Sequence, residues 1–333
     1  MAAPDRTLPD TPVPAAWSEA RTADTAEPSS TSPAARAADL AQWWRNFGDP
    51  DLASLVARAL EANASLRSAQ AALAQARAVR DVQAAGLLPS VDGSAAAQRA
   101  RPAGGDASNR FQAGLDAGWE LDVFGRNRAA LEAAEADARA AQAGLADVQV
   151  SLAAEVALAY LDLRSVQGRL EIARRNLAAQ NETLQLAQWR AQAGLTTSVE
   201  VEQARAAAEQ TAAQVPVLET GIAQARHALA VLTGQAAGAS QPALEAARPV
   251  PRPAADLALA IPAETLRQRP DVRQAEERIA AALARVSQAD AARYPSFRLG
   301  GSIGLSALTL SGLGGSAAIV NSLLAGVSLP IFD

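Results

Sequence analysis

Residues 111–145 read FQAGLDAGWELDVFGRNRAALEAAEADARAAQAGL, and two periodicities meet inside them. Up to Val123, apolar side chains fall on every second residue: Phe111, Ala113, Leu115, Ala117, Trp119, Leu121 and Val123. Gln112, Gly114, Asp116, Gly118, Glu120 and Asp122 fill the alternate places. Period two sends successive side chains to opposite faces, so this is a strand with one apolar and one polar face. After Phe124-Gly125 the pattern turns helical and Ala-rich, and no proline interrupts it between Pro102 and Pro216. At 1.5 Å per residue, residues 126–190 predict about 100 Å of helix, too long for a compact domain, so coiled-coil-type packing is expected. Ala193-Gly194-Leu195-Thr196-Thr197 breaks the helix. A second helix is predicted from Ser198 toward Leu232-Thr233-Gly234, giving a long antiparallel hairpin whose returning arm Pro216 kinks.

Moving outward toward the N-terminus, Asp49-Pro50-Asp51 opens a helix, with Asp49 as cap and Pro50 in the first turn. Leu52, Leu55, Val56, Ala59 and Leu60 form its apolar stripe. Helical pattern continues over 64–85 and stops at Leu88-Pro89. Val91, Gly93, Ala95 and Ala97 then alternate with Asp92, Ser94 and Gln98 as another strand, and 101–109 is a Gly- and Pro-containing loop. Toward the C-terminus, a Pro- and Ala-rich linker leads to helix at Ile261-Pro262-Ala263-Glu264 and again at Arg269-Pro270-Asp271. Phe297, Leu299, Ile303 and Leu305 alternate as a third strand. Leu323, Ala325, Val327, Leu329 and Ile331 alternate as a fourth. The Gly-rich stretch 300–315 lacks Lys and a following helix N-terminus, so it is no nucleotide loop, and its small polar residues suit a strand-to-strand loop.

The order helix, strand, strand thus occurs twice. Pro295-Ser296 answers Pro89-Ser90, and Leu329-Pro330-Ile331-Phe332 answers Leu121-Asp122-Val123-Phe124. The first repeat runs on into the hairpin, and the second stops just past Phe332, so a second hairpin is expected to be missing. Two two-faced strands per repeat have the length of membrane β-strands. Four cannot close a barrel, and an open edge in lipid is costly, so they must pair across subunits. Three copies give 12 strands.

Composition excludes much else. Hydrophobic residues are 49% but aromatics only 4%, and alanine supplies most of the apolar fraction, which suits closely packed helices. The net charge of −5 opposes a nucleic-acid partner. Arginines interleaved with Glu and Asp along the helices read as solvated faces. With no cysteine and His227 the only histidine, there is no disulfide, thiolate nucleophile or multi-His metal site. No catalytic residues, metal ligands or cofactor are assigned, and the chain is read as a non-enzyme. There is no unbroken run of 18 apolar residues to make a transmembrane helix. Residues 1–32 have neither the basic nor the apolar region of a signal peptide.

Several motifs resemble the TolC-like outer membrane factors, in their NodT and OprM branch. They are Trp43-Trp44-Arg45-Asn46-Phe47-Gly48-Asp49-Pro50-Asp51-Leu52, Leu88-Pro89-Ser90, Trp119-Glu120-Leu121-Asp122-Val123-Phe124-Gly125-Arg126 and Leu266-Arg267-Gln268-Arg269-Pro270-Asp271-Val272-Arg273-Gln274-Ala275-Glu276. The resemblance implies an α+β membrane channel of the Gram-negative cell outer membrane and periplasm. In it, a homotrimer joins four antiparallel strands per subunit into one 12-stranded barrel in outer membrane lipid, and the hairpins wall a periplasmic α-barrel. The duct would be a passive conduit of a tripartite efflux or export system, with a periplasmic adaptor (membrane fusion) protein and an inner-membrane pump of the RND type. Gly194-Leu195-Thr196-Thr197-Ser198-Val199-Glu200-Val201 is similar to the family's Gly-x-x-Ser-x-x-Asp-Leu tip. That resemblance assigns Gly194, Thr197, Glu200 and Val201 to the adaptor. Locally, Gly194 permits a left-handed turn, and Thr197 with Glu200 has the spacing of a capping box. Where the family often has an aromatic three residues before the Gly, Ala191 stands here.

On this reading the chain divides into a flexible tail (1–38), a helical segment (39–88), two strands (89–125) and the hairpin (126–234). A linker (235–260), a second helical segment (261–294) and two further strands (295–333) follow. The membrane strands carry Val91, Leu115, Trp119, Leu121, Phe297, Leu299, Val327 and Leu329. The leader and lipid-bearing Cys usual in this branch are not found, and the chain reads as truncated before its second hairpin. The alternative is a soluble coiled-coil scaffold, which has no need of two-faced strands at matching places. The transported substrate is not written in the sequence.

Overall fold

The computed structural model describes residues 42–101, 103–104, 106–239, 242–252, 269–315 and 319–332. The expected tail and the helical start at Ile261 fall outside them. The elements are α1 (Pro50–Ala62), α2 (Ala64–Ala85), β1 (Ser90–Ala100), β2 (Ser108–Leu121), α3 (Arg126–Gln192), α4 (Ser198–Ala212), α5 (Gln214–Leu232), α6 (Pro270–Ala291), β3 (Ser296–Ala307) and β4 (Ile319–Ser328). They fall into two compact units, divided within α2 near residue 70 and within α3 near residue 144.

One unit holds α1, most of α3, α4, α5 and the coil after α5. Asp49 caps α1: its Oδ1 accepts the backbone N–H groups of Asp51 (2.8 Å) and Leu52 (3.1 Å). These would otherwise be orphan donors. Leu52, Leu55, Val56 and Ala59 are buried against Leu152, Ala153, Val156, Ala157, Tyr160 and Leu163 of α3 and Ala225 and Leu229 of α5. Leu152, Val156, Leu163 and Leu170 recur at four- and seven-residue spacing, so they share one face of α3. Asn63 joins the helix ends, accepting from Ser65 N–H and donating Nδ2–H to the Leu232 carbonyl (2.9 Å). Gly234 sits at φ +70, and a Cβ there would strike the Ala62 carbonyl, so this close approach requires glycine.

The other unit holds the sheet, the rest of α2, the start of α3, and α6. Ala129, Ala133, Ala134, Ala136, Ala138 and Ala140 of α3 are buried. Alanine's small side chain lets neighbouring helices approach closely on several sides. Arg139 pairs with Glu277 of α6 (2.8 Å), and Arg285 of α6 pairs with Asp137.

The sheet is an antiparallel meander ordered β1-β2-β3-β4. β1–β2 and β3–β4 are local hairpins, one per repeat, and β2–β3 joins the repeats. The second strand begins at Ser108, so Ser108 and Asn109 belong to it and not to the predicted loop. It ends at Leu121, leaving Val123 outside. Residues 300–307 are strand too, correcting the loop expected over 300–315. Their glycines alternate with Ile303 and Leu305, and the ladder to β2 settles their state. Leu329 and Ile331 fall past the end of β4 at Ser328. Pro330 beside them has no N–H to give a ladder. α3 spans 67 residues. By length and composition it contains a window apolar enough to cross a membrane.

Candidate functional site

Directly paired residues lie on one face of a sheet, so the register sorts its side chains. One face carries the rows Leu121–Phe297–Val327, Trp119–Leu299–Ala325, Val91–Ala117–Gly301–Leu323, Gly93–Leu115–Ile303–Asn321 and Ala95–Ala113–Leu305–Ile319. Apart from Asn321 these rows are apolar across all four strands, and the face they form is open. Leu323 is 82% exposed, and Val91, Leu115, Ile303 and Val327 are all more than half exposed. Seven of the eight residues predicted as membrane-strand positions share it, and Leu329 lies just beyond.

The opposite face carries Asp92–Asp116–Ser302–Ser322 as one row. Ser94 donates to Asp116 (3.2 Å), and Ser302 bonds Ser322 (2.8 Å). On either side of that row the centre is bare, because Gly114 pairs with Gly304 and Gly118 with Gly300. A Cβ on Gly114 would crowd the Ile303 carbonyl and the Gly304 Cα, and one on Gly304 would crowd Ala113 and Gly114. A sheet with bulk on one face and glycine pairs on the other is free to curl toward the glycine face. Val320 and Leu324 of β4 are exceptions to its polarity.

From Phe111 to Leu121 the apolar face runs about 34 Å along β2 at ~3.4 Å per residue, or roughly 25 Å of height at the usual ~40° tilt. Aromatic side chains gather at one end. Phe124 stacks on Tyr294 with centroids 5.0 Å apart and lies 6.4 Å from Phe297. Trp119 donates its indole N–H to the Leu87 carbonyl (3.1 Å). Of these rings, Trp119 and Tyr294 are of the amphipathic type enriched at membrane–water interfaces. Arg99 and Asn109 pair at the opposite end of the same face.

Asp122 turns the chain from strand to helix at the aromatic end. Its carboxylate accepts the N–H groups of Asn127 (3.0 Å) and Arg128 (2.9 Å), and Arg128 also reaches it with its side chain. Gly125, at φ +80, makes the intervening turn. Burial pushes the Asp122 carboxyl up, but those hydrogen bonds outweigh it and hold it below the ordinary carboxylate value.

The hairpin tip is a second candidate. Gly194 at φ +70 closes α3, with Leu195 N–H bonded to the Arg190 carbonyl (2.8 Å) and Gly194 N–H to that of Ala191 (3.0 Å). This double pattern satisfies the helix's last carbonyls and requires the left-handed residue between. Thr197 stands at the N-cap of α4 as expected, but its side chain makes no capping bond. The capping box is corrected: the Glu200 carboxylate bonds the hydroxyl of Thr196, which competes for the atom the box would use. Val201 is half-buried, while Leu195, Val199, Leu186 and Trp189 leave an apolar surface open around the turn. The returning arm breaks at Ala213, three residues before Pro216. Proline lacks the donor for the preceding turn, which accounts for the break.

The sequence reading missed a third constellation. Arg164 has a fully buried side chain, not a solvated one. It donates to the carbonyls of Ala243 (3.2 Å) and Ala246 (2.7 Å), to Gln167 Oε1 (3.0 Å) and to Asp51 (3.2 Å). It also lies over the Tyr160 ring. Burial pushes the Tyr160 phenol up to about 12, and its O–H donates to Asp49 (2.8 Å). The available signal was helical phase: Arg164 follows Tyr160 by four residues and so lies on the buried stripe. Among the described residues no cluster of His, Cys, Asp and Glu could hold a metal.

The sequence matches the family described as "Outer membrane efflux protein" over residues 55–235 and 261–333. It is 33% identical over 341 residues to the toluene efflux pump outer membrane protein TtgF of Pseudomonas putida, covering 99% of this chain and 69% of that one. It is 33% identical over 279 residues to the pyoverdine export outer membrane protein OpmQ of Pseudomonas aeruginosa, covering 80% of this chain and 58% of that one. Among solved structures, the outer-membrane channel OprN superposes with a TM-score of 0.83 at 37% identity, over 98% of this chain and 73% of that one. VceC of Vibrio cholerae superposes with a TM-score of 0.79 at 26% identity, over 88% of this chain and 71% of that one.

Proposed function

We propose, from the premise that this chain belongs to the outer membrane efflux protein family, that it is a wall subunit of a passive outer membrane conduit in an efflux or export system. The observation that carries the reading is the sheet, with one open apolar face, one polar and glycine-paired face, and two free edges. A four-stranded sheet in lipid leaves its edge N–H and C=O groups unsatisfied at several kcal/mol each. β1 and β4 are the edges, so closure requires β4 of one copy to meet β1 of the next. Three copies make the 12-stranded ring, with the apolar face toward lipid and the glycine face toward the lumen.

The hairpin supplies the periplasmic wall. Its tip, with Gly194, Thr197, Glu200 and Val201, is the place for a periplasmic adaptor, behind which an inner-membrane pump drives transport. No step of catalysis is assigned to the duct itself. A soluble scaffold would have to leave the whole apolar face in water, and a patch of that size marks an interaction surface.

The test is reconstitution. The chain is refolded into outer-membrane-like vesicles, checked for a heat-sensitive trimer on gels, and then examined for conductance in planar bilayers. A trimer with stepwise conductance is expected. A monomer that stays soluble without detergent would overturn the membrane reading.

A further inference from the structure

The apolar face of the sheet ends differently at its two ends. At the helical end it meets the aromatic group of Trp119, Phe124, Tyr294 and Phe297. At the other end the row Ala97–Phe111–Ala307 is followed by Arg99 opposite Asn109. Arg99 comes an even number of residues after Val91, Gly93 and Ala95, so its side chain shares their face. Phe111 is the last apolar residue of β2 on this face, and Asn109 with Arg99 stands two residues beyond it. At ~3.4 Å per residue and a ~40° tilt, that is about 5 Å past the apolar band. An arginine there keeps its stem against the apolar layer and its guanidinium among headgroups.

The two turns at this end are chemically unlike. Residues 99–110 hold Arg99, Arg101 and Arg110 against a single acid, Asp106, whereas 299–332 contain no ionisable side chain. Leu308 and Leu310 of the second turn are more than two-thirds exposed. That turn folds onto the apolar side of the sheet. A Cβ on Gly312 would meet the Ala307 side chain at 3.1 Å, and the Gly312 N–H bonds the Thr309 hydroxyl (3.2 Å). The second turn therefore brings no carboxylate to compete for Arg99. Further along the same face, a hollow of about 560 Å³ is lined by Gly93, Ala95, Ala113, Leu115, Ile303 and Leu305. Ala95 lies four residues from Arg99, ~14 Å along β1. A cation beyond an apolar hollow is the complement of an anionic amphiphile.

We propose that this rim of the apolar face is a binding site for lipid A, the phosphorylated glycolipid of the outer leaflet. Arg99 takes a phosphate, and an acyl chain lies in the hollow. The inference rests on the conduit reading, which puts this face in outer membrane lipid with its helix-free end outward. That end meets the outer leaflet. A headgroup with two phosphates suits an arginine-rich turn better than a zwitterionic or singly charged phospholipid does. Ring closure leaves the site in place. β1 meets the next copy's β4 through the backbone groups of its edge, and the register alone assigns Arg99 to the lipid face.

The test is native mass spectrometry of the full-length trimer released from detergent micelles. Diphosphoryl lipid A, monophosphoryl lipid A and phosphatidylglycerol are the probes. One diphosphoryl lipid A per subunit is expected, held more tightly than the monophosphoryl form and more tightly still than phosphatidylglycerol. Arg99→Gln should weaken lipid A binding about tenfold, through the loss of one charge-assisted contact. Ala113→Phe fills the hollow on an inner strand, away from the subunit seam, and should also weaken binding several-fold. Arg110→Gln should change nothing, because pairing with Gln98 puts Arg110 on the opposite face. Lipid A binding unchanged by either Arg99→Gln or Ala113→Phe would overturn the proposal, and so would equal binding of phosphatidylglycerol. A parent chain that forms no heat-sensitive trimer fails the conduit reading and this site with it. A parent trimer whose lipid A binding ignores Arg99→Gln fails this site alone.

Discussion

The core around Leu229 and the sheet around Leu323 carry similar side chains in opposite circumstances. Leu229 is fully buried within its own chain, and its neighbours Leu52, Leu55, Val156 and Leu163 are closed off with it. Leu323 is 82% exposed, and most of the other large apolar residues of its face are exposed to a lesser degree. The first region is completed by the chain and the second by something outside it. Large open apolar faces mark surfaces that another apolar phase or another subunit covers, and the proposed membrane role rests on this difference.

The largest effect should fall in the core. Leu229→Ala is expected to cost about 2–5 kcal/mol through lost transfer energy and an unfilled cavity, read as a lowered midpoint in urea followed by helical circular dichroism. Leu323→Ala, in the same experiment on detergent-solubilised protein, should shift the unfolding free energy by less than about 0.5 kcal/mol. Equal shifts would break the contrast.

In lipid the order reverses for charge. Leu115→Arg puts a guanidinium at the centre of the apolar face, at a cost of about 2–4 kcal/mol near the bilayer midplane. Gln112→Arg, three residues away on the polar face, should be tolerated. Refolding into vesicles separates the two, and equal tolerance would mean that the apolar face does not meet lipid. The hairpin tip resembles the sheet in burying nothing of its own. Gly194→Ala should therefore cost only the backbone strain of a left-handed residue, about 1 kcal/mol, and leave the core's unfolding midpoint where it was.

How much of this was legible follows the same divide. Strand periodicity announced the sheet, because half its positions face an apolar environment and half do not. The register rows then keep Leu115, Trp119, Leu121, Phe297 and Leu299 on one face. The α3 helix was legible from alanine and the lack of proline, and the α1 cap from Asp49-Pro50. The hold on the coil after α5 was not. Ala243, Leu244, Glu245 and Ala246 look like linker because their partners Arg164, Gln167 and Arg226 lie on helices about 20 to 80 residues away, and no local periodicity reports a long-range bond. Arg164 was hidden by its type, since arginines on helices usually face water. The ends of strands were less legible than their middles, as Leu329 and Ser108 show, because ladder hydrogen bonds and not side-chain patterns decide them.

The smallest expected effect sits where sheet becomes helix, and it has a sign. Asp122 holds the first turn of α3 through the N–H groups of Asn127 and Arg128, and its folded-state carboxyl titrates below the ordinary value of 3.8. A group depressed on folding contributes stability that is present in full above its unfolded value and is lost as pH falls through the folded one. Unfolding free energy should then fall as pH drops below about 4, with Asp122 contributing part of the slope. Asp122→Asn keeps the shape, loses the charge, and should cost about 0.5–1 kcal/mol at neutral pH. The variant should also lose that part of the acid slope, so parent and variant converge once the pH lies below the folded-state value of Asp122. Urea midpoints of the two proteins from neutral pH down to about pH 2.5, followed at the Trp119 indole beside the joint, measure this. Parallel curves would mean that the carboxylate acts only as a spacer and that its charge does nothing for the turn into α3.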